Sequence, residues 1–175
     1  NTPPKRDSSP TPTAYLGREW RYKPPVTDAE SPRELLTLKL GENPPEGMRY
    51  DEAAREIVWT PPESLKPGEV TVTMTVTDAG EPAETATVAL PVLVAEDFAQ
   101  FTYLVGVVAR DDAREAWLYD RSRDQRTILK AGESVEVSGI KGTVEAIDGG
   151  AVTVHLPGVR RERLRGQSLR DLDQA

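Results

Sequence analysis

The sequence predicts an all-β chain of two small modules in series, and three observations carry that reading. Val70, Val72, Met74 and Val76 alternate with Thr71, Thr73, Thr75 and Thr77 without a break, which is the period-two pattern of a half-buried strand. Elsewhere the apolar runs are short and are separated by turn residues every ~8–12 positions. Thirteen Gly and fifteen Pro punctuate the 175 residues, which suits many short strands better than long helices.

Taken in order, residues 1–12 (NTPPKRDSSPTP) are polar and Pro-rich and read as a disordered or extended linker. The first module is expected over 13–95. In it Trp20 and Tyr22 share one face of a strand, Leu36, Leu38 and Leu40 repeat the alternation, and Ile57 and Trp59 form the next apolar face before Pro61-Pro62. The strand through Val70–Val76 turns at Asp78-Ala79-Gly80-Glu81-Pro82 and returns as a long strand from Thr85 to Val94, so an antiparallel hairpin is expected.

Three segments here, in order, are similar to the bacterial cadherin-like, putative immunoglobulin family. They are Asn43 to Asp51 with its Pro44-Pro45-Glu46-Gly47 turn, Ile57-Val58-Trp59-Thr60-Pro61, and Gly68-Glu69-Val70 through Thr77-Asp78. The resemblance implies an immunoglobulin/cadherin-like β-sandwich. In physical terms Gly47 allows a tight turn, Trp59 supplies a large anchor, and Pro61 ends a strand because it lacks a donor.

The junction is expected over Asp97 to Tyr103, and the second module, a small β-barrel or β-sandwich, over 98–169 with a tail at 170–175. Tyr103 to Ala109 is apolar on both faces and reads as a central strand. Strands at Ala116–Asp120, Arg126–Leu129, Lys141–Ile147, Val152–Leu156 and Arg161–Leu164 follow, about six in all.

Leu104-Val105-Gly106-Val107-Val108, Ala116-Trp117-Leu118, Leu129-Lys130-Ala131-Gly132-Glu133, Gly142 to Ile147 and Val152-Thr153-Val154 resemble the periplasmic homology-region domain. That domain occurs in an inner-membrane component of type II secretion and in the type IV pilus assembly lipoprotein. The resemblance implies a protein that joins parts of an envelope assembly.

Several chemistries are disfavoured. Cys is absent, which removes disulfides and thiolate metal sites. The net charge of −7 opposes nucleic acid as a partner. No apolar run approaches the ~20 residues of a membrane helix. Asn1 is not a natural start, so a longer protein with an export signal or anchor upstream is expected.

Candidate sites are weighed against plainer accounts. Calcium, suggested by the cadherin resemblance, would need Asp28, Asp78, Glu96 and Asp97 to converge. Solvated loop carboxylates are favoured, and no metal or cofactor is expected. His155 is the single histidine, with no Gly-x-Ser-x-Gly elbow to serve; it reads as the outer face of a strand, and no catalytic residue is assigned. Arg160, Arg161, Arg163, Arg165 and Arg170 form a basic cluster read as a solvated strand and tail. Gly149-Gly150 reads as a hairpin turn, and Trp20, Trp59 and Trp117 as core anchors. The function expected is a non-enzymatic extracytoplasmic scaffold in the periplasm or at the cell surface. Its partner would be another envelope protein, held through a sheet edge of the second module at Thr127–Leu129 or at the strand ending in Leu156. The alternative is an adhesin or carbohydrate-binding module.

Overall fold

A computed structural model describes residues 1–158 and 160–172, with 160–162 as backbone alone. The chain is all-β and divides into two compact units, Asn1–Glu96 and Asp97–Ala175.

The first unit contains β1 (Lys5–Arg6), β2 (Thr13–Tyr15), β3 (Trp20–Tyr22), β4 (Val26–Thr27), β5 (Thr37–Leu40), β6 (Arg49–Asp51), β7 (Glu56–Trp59), β8 (Gly68–Thr77) and β9 (Thr85–Ala95). One sheet has the order β2-β9-β8-β5 and the other β3-β7-β6. The expected hairpin is the longest ladder in the unit, running from Gly68 opposite Val94 to Thr77 opposite Thr85. β2 joins it in parallel, with Thr13 opposite Leu93. Val72, Met74 and Val76 point into the core with Val88, Leu90, Val92 and Val94, and meet Ile57 and Trp59 from the other sheet. Their threonine neighbours lie on the wetter face, so the alternation read from the sequence is the alternation of burial.

The Trp59 side chain is 1% exposed, yet its polar tip is satisfied. The indole Nε1 donates to the Glu46 carbonyl at 3.0 Å, inside the turn where Met48 N donates to the Pro45 carbonyl and Gly47 adopts φ +78°. The Pro-Pro-x-Gly turn and the Trp-Thr-Pro strand are therefore physically coupled: the turn supplies the acceptor that lets a tryptophan be fully buried.

Residues 1–12 depart from the linker reading. Pro4 is buried, β1 pairs with β4, and Arg6 donates to the Ala89 carbonyl at 2.9 Å. Asn1 Nδ2 donates to Asp78 at 2.7 Å, and Thr2 Oγ1 donates to Glu30 at 2.7 Å. The segment is polar because its partners are loop carboxylates and carbonyls of the sandwich, which composition does not reveal.

The second unit contains β10 (Thr102–Arg110), β11 (Ala113–Asp120), β12 (Gln125–Leu129), β13 (Ser134–Val137), β14 (Ile140–Ile147), β15 (Val152–Leu156) and β16 (Arg160–Leu164). They form one sheet of order β10-β11-β12 and another of order β13-β14-β15-β16. The core between them includes Leu104, Leu118, Val144, Val154, Leu156 and Leu164. Seven strands stand where about six were expected, because β13 (SVEV) carries just two apolar residues and shows little pattern. β10, read as central, is an edge strand. A bulge between Leu104 and Gly106 sets Val105 beside Gly106, opposite Trp117, and leaves Val105 57% exposed. The continuous apolar run comes from the bulge, not from burial on both faces.

The expected tail at 170–175 begins inside the fold. A 3-10 turn spans Leu169–Leu172 and buries both leucines. Arg170 Nε donates to Asp97 Oδ2 at 2.6 Å, and Asp97 is 0% exposed. Arg170 neutralises the one carboxylate at the opening of this unit that burial would otherwise penalise heavily. Residues 173–175 lie outside the described residues.

Each unit has its own core, so each is expected to fold alone. Residues 1–96 and 97–175 expressed separately should each unfold in one cooperative transition by circular dichroism. A disordered spectrum for either fragment would refute the division.

Candidate partner-binding face of the second unit

The inner face of the β10-β11-β12 sheet carries Leu104, Ala116, Leu118 and Leu129 into the core. Strand alternation then puts the intervening residues on the outer face. Gly106 is opposite Trp117, and Trp117 is opposite Ile128, so Val105, Trp117 and Ile128 make a row across all three strands. The next row is Tyr103, Tyr119 and Arg126. Ile128 is 44% exposed, and a Cβ built on Gly106 would meet nothing within 4 Å. Space is thus open above Gly106, the residue paired with Trp117.

Arginines border these rings. The Arg126 guanidinium lies 5.0 Å from the Trp117 ring centre, and Arg121 lies 4.4 Å from that of Tyr103 while donating to its hydroxyl at 3.0 Å. Stacking uses the flat face of a guanidinium and leaves its N–H edge available to an acceptor. Trp117 Nε1 donates to Glu115 at 3.3 Å and the Tyr119 hydroxyl to Asp124 at 2.7 Å, so the aromatic tips are held from within. The bond to Asp124 also raises the Tyr119 hydroxyl above its ordinary pKa.

The turn that places Arg121 and Asp124 is built on Asp120. Its Oδ1 accepts from the backbone N–H of Ser122 and Arg123, and its Oδ2 accepts from Arg123 Nε at 2.5 Å. Burial pulls this carboxyl upward, but the bonds from Ser122 and Arg123 outweigh it and hold Asp120 below the usual carboxylate range. Arg123 in turn covers the Phe98 ring at 3.9 Å.

Asp28 Oδ1 accepts from Glu30 N and Ser31 N, and Asp78 accepts from Gly80 N, Glu84 N and Asn1. Asp97 is bound to Arg170, and Asp28 Oδ2 is buried without a hydrogen-bond partner. Asp78 is held below its ordinary pKa: burial pulls it up, and the backbone bonds from Glu84 and Gly80 pull it further down. His155 is exposed on β15, opposite Thr143 and Arg161, at the rim of a recess of about 550 Å³ floored by Gly142 and Leu156. Within the basic cluster, Arg163 pairs with Asp148 and Arg170 with Asp97, while the side chains of Arg160 and Arg161 lie outside the described residues.

Two expectations need correction. Trp117 is not a core anchor; it occupies the outer face because Ala116 and Leu118 take the inner one. The strand ending at Leu156 offers no free edge, since β15 is paired with β14 and β16. Thr127–Leu129 does lie on an edge strand, β12. The aromatic face itself was missed, although hairpin register carries the signal. A turn at 121–124 sets Tyr119 opposite Arg126 and Trp117 opposite Ile128.

The two tryptophans should separate in stability. Trp59→Ala is expected to cost ~3–5 kcal/mol through lost burial and a residual cavity, and Trp117→Ala about 1–2 kcal/mol, measured by urea unfolding. Equal losses would contradict the assigned faces. Acid should also act through Asp120. Its folded pKa lies below the unfolded one, so its contribution is complete above the unfolded value of 3.8 and disappears as pH falls through the folded value. Asp120→Asn should therefore lower the thermal midpoint at pH 6 and narrow its gap to wild type as the pH falls to about 2. A gap independent of pH would refute this.

The solved structure described as PcdhgB3 EC1-4 in 50 mM HEPES is similar at a TM-score of 0.33 and 14% identity, over 93% of this chain and 49% of that one. The chain thus spans about half the length of that structure's chain. No curated protein sequence matches. The profile of the family described as Putative Ig domain matches residues 3–93, more than half of the 175 residues. It takes in the docked N-terminal segment and ends within β9. By its sandwich and by this match, the chain belongs to the Putative Ig domain family.

Proposed function

We propose that the protein is a non-enzymatic, extracytoplasmic contact module in which the immunoglobulin-type unit spaces or docks and the second unit holds another protein. The observation that carries this reading is the row across the β10-β11-β12 sheet in which the half-buried Trp117 lies between exposed Val105 and exposed Ile128. Contiguous exposed apolar surface with aromatic residues at its centre is the composition of interface cores. The motifs quoted for residues 101–169 support an envelope assembly of the secretion or pilus kind as its setting. The same indole, half-buried on the outer face, favours the second reading, a glycan-binding adhesin, because sugars stack on such rings.

A photo-crosslinking side chain at position 128 of the full-length chain tests the choice in its native cells, with position 35 as control. Leu35 is also exposed, at 58%, but lies in the first unit. Protein adducts from 128 that fall with Trp117→Ala, and none from 35, are expected. Absence of protein adducts, together with glycan-array binding abolished by Trp117→Ala, would replace the scaffold by the adhesin.

A further inference from the structure

Of the two edges of the aromatic sheet, one is partly closed. β10 carries the bulge at Val105, and Tyr103 makes an isolated bridge to Ser168. Among the described residues β12 pairs with β11 alone, and it exposes Gln125 through Ile128. An unpaired, extended edge offers a row of main-chain donors and acceptors to an incoming strand.

The outer residues of that edge are Arg126 and Ile128, and Lys130 follows at the same period one residue beyond the strand. Neither Arg126 nor Lys130 has an ion-pair partner among the described residues; the Arg126 guanidinium lies over the Trp117 ring, and the Lys130 backbone N–H donates to the Glu133 carboxylate. The edge thus reads basic, apolar, basic along one face in a chain whose net charge is −7. An added strand places every second side chain beside this row. Thr127, on the other face and exposed, asks for nothing apolar opposite it.

Resting on the docking reading above, we propose that β12 recruits an extended acidic peptide of the pattern acidic–x–apolar–x–acidic, added as a fourth strand. The central apolar side chain would lie against Ile128 and the Trp117 ring, and the two carboxylates would meet the guanidinium edge of Arg126 and the Lys130 ammonium. Main-chain pairing supplies affinity, and the charge pattern selects the register. Basic residues on an edge also serve to repel other strands, and that protective role is the outcome that opposes this one.

The test is an NMR titration of the full chain with blocked peptides of the length of β12, five residues. One reads Glu-Thr-Val-Thr-Glu, one Lys-Thr-Val-Thr-Lys, and one carries Pro at the centre. The acidic peptide should shift amides of Gln125–Leu129 and bind about tenfold more tightly than the lysine peptide. Raised salt should weaken it, and the proline peptide should not bind. In the Arg126→Glu/Lys130→Glu variant the preference should pass to the lysine peptide. Equal or absent binding of the acidic and lysine peptides, or shifts on another strand, would overturn the proposal, as would self-association of the variant without peptide binding. Protein adducts from position 128 alongside such a failure would leave the docking reading standing; loss of both would remove it.

Discussion

Extended chains send alternate side chains to opposite sides, and a sheet flanked on one side by a partner can bury just one of them. Everything else in this protein follows from what is placed on the second side. In the first unit the face opposite Val72, Met74 and Val76 is a run of threonines, β-branched enough for a strand and polar enough for water. In the second unit the face opposite Leu104, Ala116 and Leu118 carries Val105, Tyr103, Trp117, Tyr119 and Ile128. Both sheets solve the same burial problem, and each leaves some apolar surface outside: Leu93 on β9 in the first unit, Val105 and Ile128 in the second. In the second unit these residues form one row around an indole, and the proposed contact function rests on that grouping.

The tryptophans show how one residue type is used in two ways. Trp59 gives its indole N–H to a backbone carbonyl of a turn, and the ring disappears into the core. Trp117 gives its N–H to Glu115, two residues back on the same face, where Arg110 also approaches that carboxylate at 3.8 Å. In both, the polar tip is satisfied without water. The second arrangement anchors the indole to its own strand and leaves a ring face for contact with something else.

Much of the fold was legible because side-chain period and burial are the same information in a regular strand. The period and the intervening turn suffice to pair Val70–Val76 with Thr85–Val94. The failures occur where that identity breaks. At Leu104–Gly106 the bulge shifts the period by one residue, so an edge strand presents the run expected of a central one. Ser134–Val137 is too short, with two valines, to show a period at all. Residues 1–12 carry no pattern because they are held by side chains distant in sequence, such as Asp78 and Glu30. The candidate face was illegible for a related reason: its members come from three strands and meet through register. The clustered arginines at the C-terminus drew notice, whereas Arg121 and Arg126, separated in sequence, were brought onto rings by the hairpin.

The edges explain why an apolar face of this kind is tolerated. A flat three-stranded sheet with apolar outer residues invites copies of itself to pair edge to edge. Here β10 is interrupted by a bulge and tied at Tyr103 to Ser168, which leaves β12 as the more open side. On β12 the charge of Arg126 makes pairing conditional: a second basic edge is repelled, and an acidic strand is admitted. Arg126 also lies over Trp117, so a carboxylate drawn to the guanidinium arrives beside the ring that an apolar neighbour would cover. Protection against the wrong strand and selection of the right one are then the same electrostatic term, read with opposite sign.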